Sequence, residues 1–364
     1  MTMSHTTLSR TYVIAEAGVN HDGRVDDALA LIDAVAAAGA DCVKFQTFRA
    51  DALASAHAPK ADYQKRTTQA EESQREMLAR LELPRDAYPG LLTRARERGL
   101  AFLSTPFDGD SLRYLVELGL PCIKIGSGDL TNAPLLLELA RTGRSVVLST
   151  GMATLAEVEE ALSVLAFGYA ARVEAPSRQA FRAAWADAPT RAVLADKVVL
   201  LHCATEYPAP AVAANLRAID TLAAAFGLPV GYSDHTLGIE IAVAAVARGA
   251  VMIEKHLTLD ASRVGPDHAA SLEPAEFGRM VQAIRNVESA LGDGRKVPQP
   301  AELKNVAIAR KSLVAARPIA AGETLTAENV TVKRPGGSLA PIVLWDLIGR
   351  TAARRYEADE AIEP

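Results

Sequence analysis

Eight short apolar runs, each closing on polar or charged residues, set the tightest limit on how this chain can fold. They are YVIAEAG (12–18), CVKFQT (42–47), AFLSTP (101–106), CIKIGSG (122–128), VVLSTG (146–151), VVLLHC (198–203), PVGYSD (229–234) and VMIEKH (251–256). Runs this short, with frequent β-branched residues, read as strands buried on both faces. Helical spacing fills the intervals. Val25–Ala38 sets Leu29, Ile32 and Val35 or Ala36 on one face and stops at Gly39, a natural C-terminal cap. After the last run, Phe277, Met280, Val281, Ile284, Val287 and Leu291 keep the same spacing up to Gly292. Eight strand–helix units in about 290 residues predict an α/β fold of the (β/α)8 TIM-barrel type. A doubly wound open sheet is the alternative, and the count of eight speaks for the barrel.

Two connections are long. Residues 49–84 leave the C-terminal end of the second strand, where barrel active sites lie, and long loops there are usually functional or mobile. Residues 166–196 enter a strand from the opposite end, which suits a structural or oligomeric role. The segment GDGRKVPQPAE (292–302) then breaks the pattern. It marks a barrel domain over 1–292, a linker over 293–309 and a small β-rich domain over 310–364. Within the last, ARPIAAGETL (316–325) and ARRYEADEAI (353–362) form a weak internal repeat.

Composition removes several classes of function. The net charge is −5 and no long basic stretch exists, which argues against nucleic acid as a partner. No apolar run approaches the ~18 residues of a membrane span. The N-terminus, MTMSHTTLSR, lacks the apolar centre of a signal peptide, so a cytoplasmic location is expected. Cys42, Cys122 and Cys203 each sit in a strand-like run without a CxxC partner and read as buried thiols. His5 and His57 carry no signal.

In a TIM barrel, polar residues at the C-terminal strand ends face the active site. Those ends hold Glu16, Asn20 and His21; Lys44 and Gln46; Ser104 and Thr105; Lys124, Ser127 and Asp129. They continue with Ser149 and Thr150; His202, Thr205, Glu206 and Tyr207; Ser233, Asp234 and His235; Glu254, Lys255 and His256. A buried polar group left unpaired costs roughly 1–3 kcal/mol, so strand ends serving only the fold would not need so many. Lys44 and Lys124, with Thr105, Ser127 and Ser149, would make a cationic, hydroxyl-lined pocket for a phosphate and a carboxylate. The glycines beside Ser127 let backbone amides approach an anion. The plainer reading pairs each lysine with a carboxylate such as Glu16 or Asp129. His235 and His256 end adjacent strands and could hold a divalent ion, or simply hydrogen-bond. Glu254 faces the same side as His256 and could position or deprotonate a water. Alternation sends His202 and Cys203 to opposite faces, which argues against a Cys–His nucleophile and leaves His202 structural.

The motifs AEAGVNHDG, VKFQTF, STPFD, KIGSGD, LSTGMAT, HCATEYPAP, GYSDHTLG, EKHLTLD and GPDHAASLEP resemble those of the sialic acid synthases. That group covers N-acetylneuraminate, legionaminate and pseudaminate synthases. RKSLVAARPIAAGETLTAENVTVKRPGGS is similar to the family's antifreeze-like SAF domain. The resemblance implies an enzyme joining phosphoenolpyruvate to an N-acylated mannosamine-type sugar, with C–O cleavage and phosphate release. It implies phosphoenolpyruvate among Lys44, Thr105, Lys124, Ser127, Ser149, Tyr207 and Ser233. It implies a divalent metal, manganese or magnesium, on His235 and His256, with Gln46, Tyr207 and Asp267 near the sugar. Glu16 and Glu254 are the implied acid and base, in undecided roles. Arg334 would reach the sugar's N-acyl group from the small domain of a partner in a domain-swapped homodimer. Thr205 stands where some members carry Asn, and Asp129 where many carry Glu. These departures leave the acceptor open between N-acetylmannosamine, a 2,4-diacetamido-6-deoxy sugar and another epimer. A synthase acting on an aldose phosphate would need more arginines than Arg49 and Arg263 at the mouth. A non-catalytic carbohydrate- or ice-binding protein would not need the strand-end set.

Overall fold

The computed structural model describes residues 10–68, 72–337 and 339–363, with residues 63 and 66 described by backbone alone. The polar N-terminus through Ser9, His5 included, lies outside these residues. So does Ser338, the last residue of the SAF-like motif. The chain divides into two units, Met1–Gly292 and Asp293–Pro364. No helix among the described residues is long and apolar enough to cross a membrane.

The first unit is built on eight parallel strands: β1 (Tyr12–Gly18), β2 (Cys42–Thr47), β3 (Ala101–Pro106), β4 (Cys122–Ile125), β5 (Ser145–Ser149), β6 (Val198–Cys203), β7 (Val230–Asp234) and β8 (Met252–His256). Their order is β3-β2-β1-β8-β7-β6-β5-β4, so the first strand pairs with the last, Ile14 opposite Glu254. That pairing makes a nearly closed barrel instead of a doubly wound sheet, with β3 and β4 side by side but without a ladder between them. The strand boundaries differ little from expectation, except that β4 stops at Ile125 and passes into a single 3-10 turn, Ser127–Asp129. The first helix, Val25–Ala37, buries Ala28, Leu31, Ile32 and Val35, while Leu29 is only half-buried. The i, i+3, i+4, i+7 stripe thus starts at Ala28, one residue earlier than expected. Leu291 is exposed, although the helix Pro274–Leu291 buries Phe277, Met280, Val281 and Ile284 as the spacing requires.

The barrel interior explains the site. Tyr12, Ile14, Cys42, Leu103, Cys122, Val147, Leu201 and Met252 pack together inside it. Two residues further along each strand the same face turns polar, because alternation has period two. Ile14 is followed by Glu16, Cys42 by Lys44, Leu103 by Thr105, Cys122 by Lys124, Val147 by Ser149 and Met252 by Glu254. Six strands thus carry an apolar plug below and a polar group above, while on β6 Leu201 is followed by the thiol of Cys203. On β7 the plug position is Gly231, where a Cβ would lie 2.6 Å from Leu201 Cδ2 and clash with the Met252 carbonyl. The three cysteines are buried free thiols.

The segment after β2 is not an open loop. It forms helices at Ala50–Leu53, Asp62–Thr67 and Gln74–Leu81. The last starts at a capping box, Ser73 with Glu76, and buries Met77 and Leu81 against Val19 and Phe48. The fifth barrel helix runs from Leu155 to Tyr169, past its expected end. The insertion that follows folds back as two helices, Arg178–Ala186 and Ala188–Ala192. Phe181 meets Phe167 edge-on with ring centres 5.2 Å apart, and Trp185 meets Phe226 at 6.2 Å, so the insertion covers helices away from the strand ends.

The second unit has its own core of Leu313, Ile319, Leu325, Leu347, Tyr356 and Ile362 around the antiparallel pair β9 (Ser312–Ala315) and β10 (Val330–Lys333). The stretch expected as linker carries a helix, Pro300–Ala309. The weak repeat is a structural one. Arg317 pairs with Glu323 at 2.8 Å, and Arg354 with Glu360 at 2.6 Å. Each glutamate also accepts the backbone N–H three residues before it, from Ala320 and from Glu357. Ile319 and Tyr356 exchange backbone hydrogen bonds, so the two copies face each other.

Candidate active site

The strand-end groups line a cavity of about 390 Å³. Its wall includes Glu16, Lys44, Gln46, Thr105, Ser127, Ser149, Thr205, Tyr207, Ser233, His235, Glu254, His256 and Asp267. Lys124 reaches the same place from below, donating to Ser149 Oγ at 2.7 Å and lying 3.7 Å from Glu254. Asp129 stays out of the wall. It sits in the 3-10 turn, where its carboxylate accepts from Asn132 Nδ2 at 2.9 Å. Arg334 belongs to the second unit.

Four buried charges alternate on the cavity floor. Lys44 Nζ lies 2.7 Å from Glu16 and 3.7 Å from Glu254, and it donates to Thr105 Oγ1 at 3.3 Å. Lys124 pairs with Glu254, not with Asp129. Ser233 Oγ donates to Glu254 at 3.0 Å, and Gln46 Nε2 to Glu16 at 3.0 Å. The two glutamates differ. Burial pushes Glu16 up to about 7, although Lys44 pulls it back, and Glu254 adds to the rise. Burial acts on Glu254 too, but Lys124, Lys44 and the Ser233 hydroxyl outweigh it and hold this carboxylate below its usual range. Burial also raises Asp267 to about 6.

Ser127 is fixed by a notch in the backbone. Gly151 N donates to Ser127 Oγ at 2.9 Å, and Cys203 Sγ lies 3.1 Å from the same oxygen. A Cβ at Gly151 would lie 2.8 Å from Ser127 Oγ and 2.9 Å from Cys203 Sγ, so only glycine leaves this corner open.

The histidines face one another with ring centres 5.6 Å apart, and the Tyr207 ring stands 4.1 Å from that of His235. His235 Nδ1 is 2.7 Å from the Ala204 carbonyl, which can only accept. Nδ1 therefore carries the hydrogen and Nε2 the lone pair. Burial lowers His235 to about 4, and burial with nearby cations holds His256 well below its ordinary value. His256 Nδ1 is buried without a hydrogen bond, 3.6 Å from Asp267. Two neutral imidazoles with spare ring nitrogens fit a divalent cation. No group of three His, Cys, Asp or Glu among the described residues could hold one, so further ligands would be water or substrate oxygens.

Other strand-end groups serve the fold. Ser104 bonds Thr47 and the Phe45 carbonyl, and Thr150 bonds the Leu201 carbonyl. Asn20 donates to the Leu257 carbonyl and to Ser271, tying the first loop to the last. His21 Nδ1 accepts from Gly23 N, and His202 Nε2 faces the Ala214 carbonyl at 2.8 Å. Residue-by-residue reading missed the apolar side of the cavity, which is made by Val19, Leu53, Met77, Leu78, Leu81 and Phe107. Besides the length of the 49–84 segment, the capping-box pattern of Ser73 and Glu76 ahead of Met77 and Leu81 is a signal that could have found it.

Residues 31–296 match the NeuB family and residues 310–364 the SAF domain. The chain belongs to the NeuB family. It is similar to N,N'-diacetyllegionaminic acid synthase of Campylobacter jejuni, 45% identical over 98% of this chain and 99% of the relative. It is also similar to the synthase of the same name from Legionella pneumophila, 41% identical over 95% and 92%. Among solved structures it resembles N-acetylneuraminic acid synthetase of Leptospira borgpetersenii, in complex with citrate. That likeness has a TM-score of 0.66 and 32% identity, covering 82% of this chain and 91% of that one. This NeuB-family chain is thus an enzyme of the sialic, legionaminic and pseudaminic acid synthase type, with a SAF domain at its C-terminal end.

Proposed function

We propose that the enzyme condenses phosphoenolpyruvate with an N-acylated mannosamine-type sugar and releases phosphate. The observation that carries this reading is the cavity floor, where Lys44 and Lys124 stand among Thr105, Ser127 and Ser149 beside two neutral histidines. Lysines and hydroxyls suit the phosphate and carboxylate of phosphoenolpyruvate. A divalent ion on His235 and His256, manganese or magnesium, would supply Lewis-acid polarisation of the sugar's aldehyde oxygen. Gln46, Tyr207 and Asp267 hold the sugar so that its aldehyde carbon meets C3 of phosphoenolpyruvate. Glu16, the carboxyl that keeps its proton to higher pH, gives that proton to the aldehyde oxygen as the C–C bond forms. Water then adds at C2. Glu254, the ionised carboxylate, takes the water's proton, and C–O cleavage expels phosphate.

The acceptor we propose first is a 2,4-diacetamido-6-deoxy sugar, with N-acetylmannosamine second. The two legionaminic acid synthases above support that order, and so does the apolar wall of Leu53, Met77, Leu78, Leu81 and Phe107, which suits methyl groups. A phosphorylated acceptor fits less well. Arg49 pairs with Asp51, Arg263 pairs with Asp27, and neither lines the cavity. The same reading places the enzyme in the cytoplasm as a domain-swapped homodimer, with Arg334 serving a partner's sugar site. Phosphoenolpyruvate labelled with heavy oxygen at the bridging position tests the reaction. The label is expected in phosphate, and label kept in the sugar acid refutes the mechanism. A panel of the candidate sugars, scored by phosphate release, decides the acceptor.

A further inference from the structure

Behind the two histidines, on the side of the strands turned away from the cavity, lies a second pair of charges. Asp234 and Lys255 are register partners on β7 and β8, and neither side chain has any exposure to solvent. Lys255 Nζ donates to Asp234 Oδ2 and to the Thr236 carbonyl, both at 2.7 Å. Asp234 Oδ1 accepts from Thr236 N at 3.0 Å and from Thr236 Oγ1 at 2.8 Å. These four hydrogen bonds grip the residues on either side of His235. Through the backbone of Lys255 they also grip the strand between Glu254 and His256. Thr236 is bridged to Ala209, and Ala209 N donates to the His235 carbonyl at 2.8 Å, so the loop that brings Tyr207 is tied to the same point.

A buried ion pair adds little net stability, since desolvation cancels most of the attraction and apolar residues of similar volume often serve as well. What it supplies is direction, because charge-assisted hydrogen bonds hold their partners at one distance and angle. We propose that Asp234 and Lys255 are positioning residues that set the separation of His235 and His256 and so the affinity of the site for a divalent cation. The inference rests on the reading of those histidines as cation ligands.

The test compares full-length wild type with the neutral double variant Asp234→Asn/Lys255→Met. Manganese binding is read from the electron paramagnetic resonance of free Mn2+, and phosphoenolpyruvate binding by calorimetry without metal. Wild type is expected to bind Mn2+. The double variant should keep its circular dichroism spectrum and its phosphoenolpyruvate affinity, yet bind Mn2+ at least tenfold more weakly. Thr236→Val, which removes one hydroxyl bond of the clamp, should weaken Mn2+ about threefold. A merely structural pair would lower the melting temperature and leave the Mn2+ affinity of the folded protein unchanged. An Mn2+ affinity within twofold of wild type in the folded double variant overturns the proposal and leaves the cation reading intact. If the double variant does not fold, an unchanged affinity in Thr236→Val overturns it. Wild type that binds no Mn2+ overturns both.

Discussion

Lys44, Lys124, Glu16 and Glu254 lie within 3.7 Å of their neighbours, so their charges cancel before any anion arrives. A multiply charged phosphate ester entering among them must tip that balance. The group with most room to respond is Glu16, which burial has brought to about 7. Below that pH it already carries its proton. Above it, the new negative charge raises the carboxyl further and draws a proton from solvent. Phosphoenolpyruvate binding at pH 7.5–8 is therefore expected to take up protons, on the order of half to one per site, with uptake fading near pH 6. Calorimetry in two buffers of different ionisation enthalpy reads this directly, and buffer-independent heats at pH 8 would refute it. At this scale much was legible in the sequence, because period-two alternation places a charge two residues beyond an apolar one on the same face. The partners were not legible. Lys124 could have met Asp129, five residues on in the chain, but the 3-10 turn swings Asp129 away and the barrel brings Glu254 across.

Between the strand ends and solvent lies the helix Gln74–Leu81, whose Met77 and Leu81 pack on Val19 and Phe48 and also line the cavity. Met77→Ala removes a buried side chain from a satellite cluster, a change that costs about 2–5 kcal/mol where the surroundings cannot collapse. Here the cost falls on the helix and not on the barrel core. Steady-state kinetics should show KM for the sugar rising roughly tenfold or more, with KM for phosphoenolpyruvate changed less than threefold. Equal rises in both constants would show that the helix does not form the sugar's side of the site. The length of the 49–84 segment pointed to function, but length carries no geometry. Its helices are short and of mixed composition, and only tertiary contact selects them. The role of the 166–196 segment was open between a structural and an oligomeric one. The strand end it enters suited either, and only the fold names Phe167 and Phe226 as the rings that its Phe181 and Trp185 cover.

For the molecule as a whole, two units each hold a core of their own. Residues 1–292 alone are expected to fold and to bind phosphoenolpyruvate, whose proposed ligands all lie within that unit, but to turn over poorly without Arg334. Mixing full-length Arg334→Ala subunits with Lys124→Met subunits, each nearly inactive alone, should restore activity in exchanged dimers. A lack of recovery in verified heterodimers would mean that Arg334 does not act on a partner. The eightfold repeat of strand and helix was plain from the sequence because each unit repeats one pattern. The seam was not, since nothing in AFLSTP or CIKIGSG marks them as neighbours that fail to pair. Seven of the eight strand junctions carry ladders, and the junction between β3 and β4 does not. Thr105 stands on one bank of that gap and Lys124 on the other. Amide deuterium uptake should thus be fastest, among the barrel strands, at 101–106 and 122–125. A ligand held by both residues would act as a staple, and its arrival should slow exchange there more than anywhere else in the wall.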